Sequence, residues 1–152
     1  MPNYKILLSQ AKELAETNKE SKYKDISILA NISALLYQSL DNINWLGFYI
    51  KENGNLVLGP FQGKVACTFI KGGCGVCGRG LNEKRVYNVP NVLEFEGHIA
   101  CDSMSRSELV IPIIIEGEVR YIFDIDAPVF NRFDEELEAF LKEIGKVIEA
   151  NL

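Results

Sequence analysis

The sequence holds a single histidine, His98, among 152 residues, and it is short of positive charge, with 16 Lys and Arg against 21 Asp and Glu and a formal net charge of −5. A nucleic-acid backbone wants a basic face on its partner, and anionic lipid wants the same. The composition argues against both. No apolar run comes near the roughly 20 residues of a membrane-spanning helix. The N-terminal "MPNYKILLSQAKELAETNKE" is interrupted by charge too early to be a signal peptide. The expected location is therefore the cytoplasm, with no membrane partner. There is no repeat, low-complexity tract or linker. The length suits one domain, residues 1–152, large enough to fold without metal or disulfide staples.

What is present is a clear change of period along the chain. Apolar residues at helical spacing predict a helix over Lys5 to Glu16 and a more buried one over Asp25 to Leu40. "NINWLGFYIKENGNLVLGPF" then reads as two strands about Asn53-Gly54, a strong hairpin signal. "KVACTFI" reads as a third strand, and "GGCGVCGRGLNEKRVYNV" as a glycine-rich lead into a short helix and a short strand. "ELVIPIIIEGEVRYIFDIDAP" reads as a second hairpin about Glu116-Gly117. Asp134 to Leu152 predicts a closing amphipathic helix. The helix faces and the Phe residues are expected to form the core. Hairpin-linked strands covered by helices make an α+β domain.

The four cysteines are spaced Cys67-x6-Cys74-x2-Cys77-x23-Cys101. In a reducing compartment permanent disulfides are not expected, and three readings stand. Core thiols suit Cys67, in its apparent strand, better than Cys74 and Cys77, which sit among glycines. A structural zinc site would use Cys74, Cys77, His98 and Cys101, two close pairs of soft ligands. Redox catalysis would use Cys101, with His98 nearby to favour thiolate, and Cys67 or Cys77 to close a disulfide.

The acids favour redox chemistry. Asp124 and Asp126 lie two apart on one strand face within an otherwise apolar run. Two like charges so placed are costly unless they bind something or one holds a proton. Glu108 opens the preceding strand. A two-residue loop, Glu116-Gly117, sets Glu108 opposite Ile125, on the wrong face; a three-residue loop sets it opposite Asp126. Both registers remain open in the sequence. In the second, three carboxyls crowd together and one becomes a proton donor at neutral pH. Sulfoxide reduction is a reaction that uses a thiolate, a protonated carboxyl and a resolving thiol.

"GPFQGKVAC", "GVCG", "GHIACD", "SELVIPI" and "DIDAP", in that order, resemble the free methionine-(R)-sulfoxide reductases, which are built on a GAF domain. The resemblance runs from about Trp45 to Pro128. It implies a central antiparallel sheet of about six strands flanked by helices. It implies Cys101 as the catalytic cysteine that becomes sulfenic acid, Cys67 as the main resolving cysteine and Cys77 as a further participant. It assigns Glu108, Asp124 and Asp126 to sulfoxide binding and proton transfer, with Trp45 against the substrate methyl and Tyr49 near it. The implied substrate is free methionine-(R)-sulfoxide and the implied reductant thioredoxin, in a homodimer with no cofactor and no metal. Two positions depart from the family pattern. Cys74 is extra, and Asn91 stands where an aspartate is common, an acid that would meet the substrate ammonium. Against this reading stand a ligand-sensing GAF module, for which the cysteines have no purpose, and a zinc-stabilised interaction module.

Overall fold

The computed structural model describes residues 2–17, 19–99 and 102–152; Cys101 lies outside them. The described elements are, in order, α1 (Tyr4–Ala15), α2 (Lys24–Ser39), β1 (Trp45–Glu52), β2 (Asn55–Gly63), β3 (Phe69–Ile70), α3 (Gly75–Glu83), β4 (Tyr87–Val89), a 3-10 turn (Val92–Glu94), β5 (Ser107–Ile115), β6 (Glu118–Ala127) and α4 (Glu135–Asn151). Six strands form one antiparallel sheet in the order β3-β2-β1-β6-β5-β4. The α+β architecture expected from the sequence is present. Among the described residues no helix is long and apolar enough to cross a membrane.

The sheet is covered on both faces because its strands alternate. Leu46, Phe48, Leu109, Ile111, Ile113, Phe123 and Ile125 point to the face packed by α1, α2 and α4. Trp45, Tyr49, Val110 and Ile122 point to the other, where α3 lies. Helix α4 begins where Asp134 caps it, its carboxylate accepting Leu137 N–H at 2.9 Å, and Glu135, Glu136 and Glu138 sit in the first turn, where the helix dipole favours acids.

Both hairpins turn where the sequence places them, with Asn53 and Gly54, and Glu116 and Gly117, all at positive φ. The second hairpin settles the register in a way neither loop length alone would give. Its loop has two residues, Ile115 pairing with Glu118, but the register steps between Ile113 and Ile114, so that Ile113 pairs with Tyr121 and Ile114 with Val119. Arg120 is the extra residue, a β-bulge. Its effect is visible in the packing: Val119 and Ile122 lie on one face, Tyr121 on the other. From the bulge onward the pairing is shifted by one, and Glu108 comes to face Asp126.

Two expectations need correction. "KVACTFI" is not a full strand; only Phe69–Ile70 pairs, with Leu56 and Val57. Leu58 N–H still reaches Thr68 O at 3.1 Å, but the next β2 residue in phase is Pro60, which has no N–H to give. Cys67 therefore sits in a loop, half-buried. Nor are all Phe residues core. Phe69 on the short edge strand is 57% exposed and Phe130, in the segment before α4, 47%.

Candidate active site

The register places a line of functional groups across one end of the sheet. Glu108 on β5 pairs with Asp126 on β6, which pairs on its other side with Trp45 on β1. Asp124 lies one step further along the same face of β6, opposite Gly47. A Cβ on Gly47 would stand 2.2 Å from Phe61 Cβ, so a glycine is required for β2 to come close enough for Phe61 to stack on Trp45, ring centroids 5.1 Å apart. Tyr49 stacks on the same indole at 5.7 Å. Trp45 thereby forms a fixed wall.

From above, α3 presses onto β5 at Gly80, where a Cβ would meet Val110 Cγ1 at 2.8 Å. This close approach brings Cys77, one turn earlier, to the acids, with its Sγ 3.8 Å from Glu108 Oε2. The segment after the 3-10 turn supplies His98, whose Nε2 is 3.3 Å from Glu108 Oε1. These groups line a cleft with about 430 Å³ of empty space, its open mouth included. Two buried polar atoms of its wall, Asp124 Oδ1 and Trp45 Nε1, have no hydrogen-bond partner among the described residues. Buried polar groups are nearly always paired; an acceptor and a donor left free at one cleft mark a place for a ligand.

Burial and mutual repulsion set the protonation states. Glu108 is pushed up to about 8, first by desolvation and then by Asp126. Asp124 is raised well above the usual carboxylate range by desolvation and by Glu108, and Asp126 by desolvation and by Asp124. The Cys77 thiol is likewise pushed up by burial and by the neighbouring acids. Burial lowers His98. The His98–Glu108 approach at 3.3 Å is thus a contact between neutral groups at neutral pH, and Glu108 holds a proton it can give.

The same shifts make the fold sensitive to alkali. Each acid has a higher pKa folded than unfolded, so folding takes up protons between the two values. The stabilising contribution is complete below the ordinary carboxylate pKa of about 4 and is lost as pH rises through the folded value, about 8 for Glu108. Thermal stability should therefore fall from pH 5 to pH 9. Glu108→Gln, which removes one titrating group and keeps the shape, should raise the melting temperature at pH 8 by about 5 °C or more. Melting curves of the two proteins across this range test it, and equal slopes would show that Glu108 is ionised in the folded chain.

Of the residues singled out in the sequence, the structure gathers Trp45, Tyr49, Cys77, Glu108, Asp124 and Asp126 at the cleft. Cys67 lies on the same side of the sheet, its carbonyl accepting the Tyr49 hydroxyl at 3.4 Å. Cys101 is outside the described residues, while Ile99 and Asp102 near it both line the cleft. Cys74 also lines it, exposed and free. Asn91 does not. Its carboxamide caps the 3-10 turn, accepting Leu93 N–H at 3.0 Å. The sequence offers His98 beside Cys101, but nothing in it signals the side chain's inward turn onto Glu108. Nor does it signal the brace behind the site, where Asn44 Nδ2 donates to Asp102 Oδ2 at 2.9 Å and to Ser105 Oγ at 3.1 Å. Single polar residues in irregular segments carry no periodic signal.

The sheet order and the cleft above it are those of a GAF fold. A solved GAF domain superposes with a TM-score of 0.87 at 38% identity, over 98% of this chain and 89% of its own. No family model matches the sequence. The free methionine-R-sulfoxide reductase of Escherichia coli (strain K12) is 47% identical over 124 residues, 82% of this chain and 75% of that protein. The structure of fRMsr of Staphylococcus aureus in complex with substrate superposes with a TM-score of 0.92 at 45% identity, over 100% of this chain and 97% of that one. The chain belongs to the free methionine-R-sulfoxide reductases, a family of sulfoxide-reducing enzymes.

Proposed function

We propose that residues 1–152 act as one catalytic GAF domain that reduces free L-methionine-(R)-sulfoxide through Cys101, with Cys67 resolving and thioredoxin as reductant. The observation that carries the reading is a proton-holding Glu108 beside an unpartnered Asp124 oxygen, under the wall of Trp45. In this reading the sulfoxide oxygen lies among Glu108, Asp124 and Asp126, and the S-methyl rests on Trp45, with Tyr49 beneath. The Cys101 thiolate attacks sulfur while Glu108 protonates the oxygen. The new S–S bond and the S–O bond then break as the hydroxyl passes to the Cys101 sulfur; methionine leaves with an electron pair and Cys101 is left as sulfenic acid. The Cys67 thiolate then displaces it as water, forming a disulfide, and the thioredoxin dithiol reopens that bond. The sum is one sulfoxide and two thiols giving one methionine, one disulfide and water. Supporting the resolving role, Cys67 is disulfide-bonded whereas Cys74 and Cys77 are free. Cys77 serves in this scheme to hold Glu108 and not as the nucleophile, because its thiol is buried and pushed up. A homodimer, implied by the sequence resemblance, in the cytoplasm, the location expected from the sequence, completes the picture.

A cleft that closes round the amino acid desolvates the acids and strengthens them, and it leaves a flanking chain nowhere to go. Free methionine-(R)-sulfoxide should be reduced at least about a hundredfold faster, in kcat/KM, than the S epimer or a peptide with an internal sulfoxide. An assay with the separated epimers and such a peptide tests this. Equal rates on free and internal sulfoxide would overturn the closed cleft.

A further inference from the structure

The donor set at the cleft is unusual for a site whose proposed chemistry needs only protons and thiols. Ligand atoms of Cys77, Glu108 and Asp124 all lie within 4.8 Å of one another, and all three residues are buried. The Cys77 Sγ to Glu108 Oε2 distance is 3.8 Å. A tetrahedron with Zn–S of about 2.3 Å and Zn–O of about 2.0 Å has an S···O edge of about 3.5 Å, so the pair needs to close by only a few tenths of an ångström. Asp124 Oδ1, in a residue 5% exposed, has no partner among the described residues. His98 Nε2 is 3.3 Å from Glu108 Oε1 but is not one of this close group. One sulfur and two carboxylate oxygens suit a borderline cation, with the fourth vertex left to water. Mg²⁺ and Ca²⁺ would reject the thiolate.

We propose that the reduced protein binds one Zn²⁺ reversibly in this cleft, on Cys77, Glu108 and Asp124 with water as fourth ligand, in competition with the sulfoxide. This set differs from the one the sequence spacing suggests. It shares Cys77 with it, but replaces Cys74, which is exposed, together with His98 and Cys101, by two acids that only the bulged register brings to the place. The three ligands sit on β5, β6 and α3, rigid elements that fix the geometry before the metal arrives. A divalent cation offsets the mutual repulsion of the acids, and the protons held by acids and thiol leave as it enters, so affinity rises with pH. Occupancy would block the acids from the sulfoxide oxygen. Competition rests on the reductase reading; metal binding does not.

The test uses the full-length, reduced, metal-free protein without substrate, titrated with Zn²⁺ and with Co²⁺ as a spectroscopic stand-in. One equivalent should bind, and Co²⁺ should give a near-ultraviolet thiolate charge-transfer band. Cys77→Ser should remove the band, and the isosteric Asp124→Asn should weaken Zn²⁺ binding at least about tenfold. Far-ultraviolet circular dichroism confirms that each variant is folded. Cys74→Ser and Cys101→Ser should leave both band and affinity unchanged. Free methionine sulfoxide should raise the apparent dissociation constant of wild type. Absence of stoichiometric binding overturns the proposal. So does loss of the band in Cys74→Ser or Cys101→Ser, or indifference to both Cys77→Ser and Asp124→Asn. A protein that takes up Zn²⁺ at this site yet reduces no sulfoxide would refute the function and leave the metal site standing.

Discussion

Cys101→Ser is expected to abolish sulfoxide reduction, with the single-turnover release of methionine falling by roughly a thousandfold or more, because a serine hydroxyl lacks a thiolate's nucleophilicity at neutral pH. The chain has three other cysteines, so the size of this loss depends on whether any can stand in. Cys77 is the nearest to the acids but the least able. Its thiol is buried, and desolvation together with Asp124 and Glu108 holds it protonated. Cys67 lies in the loop before β3, on the rim of the apolar cluster. It is not among the residues that line the cleft. Cys74 is the real competitor, exposed, free and lining the cleft at the N-terminus of α3. The double variant Cys74→Ser, Cys101→Ser separates the possibilities. If Cys101→Ser keeps turnover and the double variant loses it, Cys74 is the nucleophile and the resemblance has misassigned the role.

The parts of this site that could be read in the sequence are those carried by period or by turn chemistry. Helices α1, α2 and α4 begin and end within a residue or two of where their apolar spacing places them. The two hairpins turn at Asn53-Gly54 and Glu116-Gly117 because the glycine of each pair takes positive φ freely and Asn53 takes it better than most, while Glu116 follows under the constraint of its two-residue loop. The decisive contact, Glu108 against Asp126, was open, because the bulge at Arg120 leaves no mark in the pattern. Tyr121, Ile122 and Phe123 are all apolar, so the run around Arg120 fits either phase, and only packing on both faces of the sheet chooses. The third strand failed for the opposite reason. Its residues suit a strand, but the partner that would have to pair with them carries Pro60. His98 shows a third limit. A histidine outside any regular element has no period, and its direction is set by Glu108, ten residues away on another element.

Glu108→Gln should lower the single-turnover rate by about a hundredfold or more, the usual range for losing a general acid, with substrate affinity little changed. The amide keeps the volume and can still donate a hydrogen bond to the sulfoxide oxygen, but it cannot surrender a proton. Neither aspartate replaces it freely. Asp126 is its cross-strand neighbour and Asp124 its next neighbour on the face, and each is raised by the same burial and repulsion that raise Glu108. Taking one proton would leave a charge in the region the fold keeps neutral. The pH profile distinguishes a proton donor from a mere binding group. In wild type the chemical rate should fall as pH rises through about 8, the folded value of Glu108, because the acid form disappears. In Glu108→Gln the residual rate should lose that alkaline fall, while the acid limb set by ionisation of the nucleophile stays in place. The variant should at the same time be the more stable protein at pH 8, since the proton that Glu108 holds for catalysis is the one whose loss weakens the fold. A wild-type profile flat to pH 9, or a variant that keeps both its rate and the alkaline fall, would take Glu108 out of the proton-transfer step and pass it to Asp124 or Asp126.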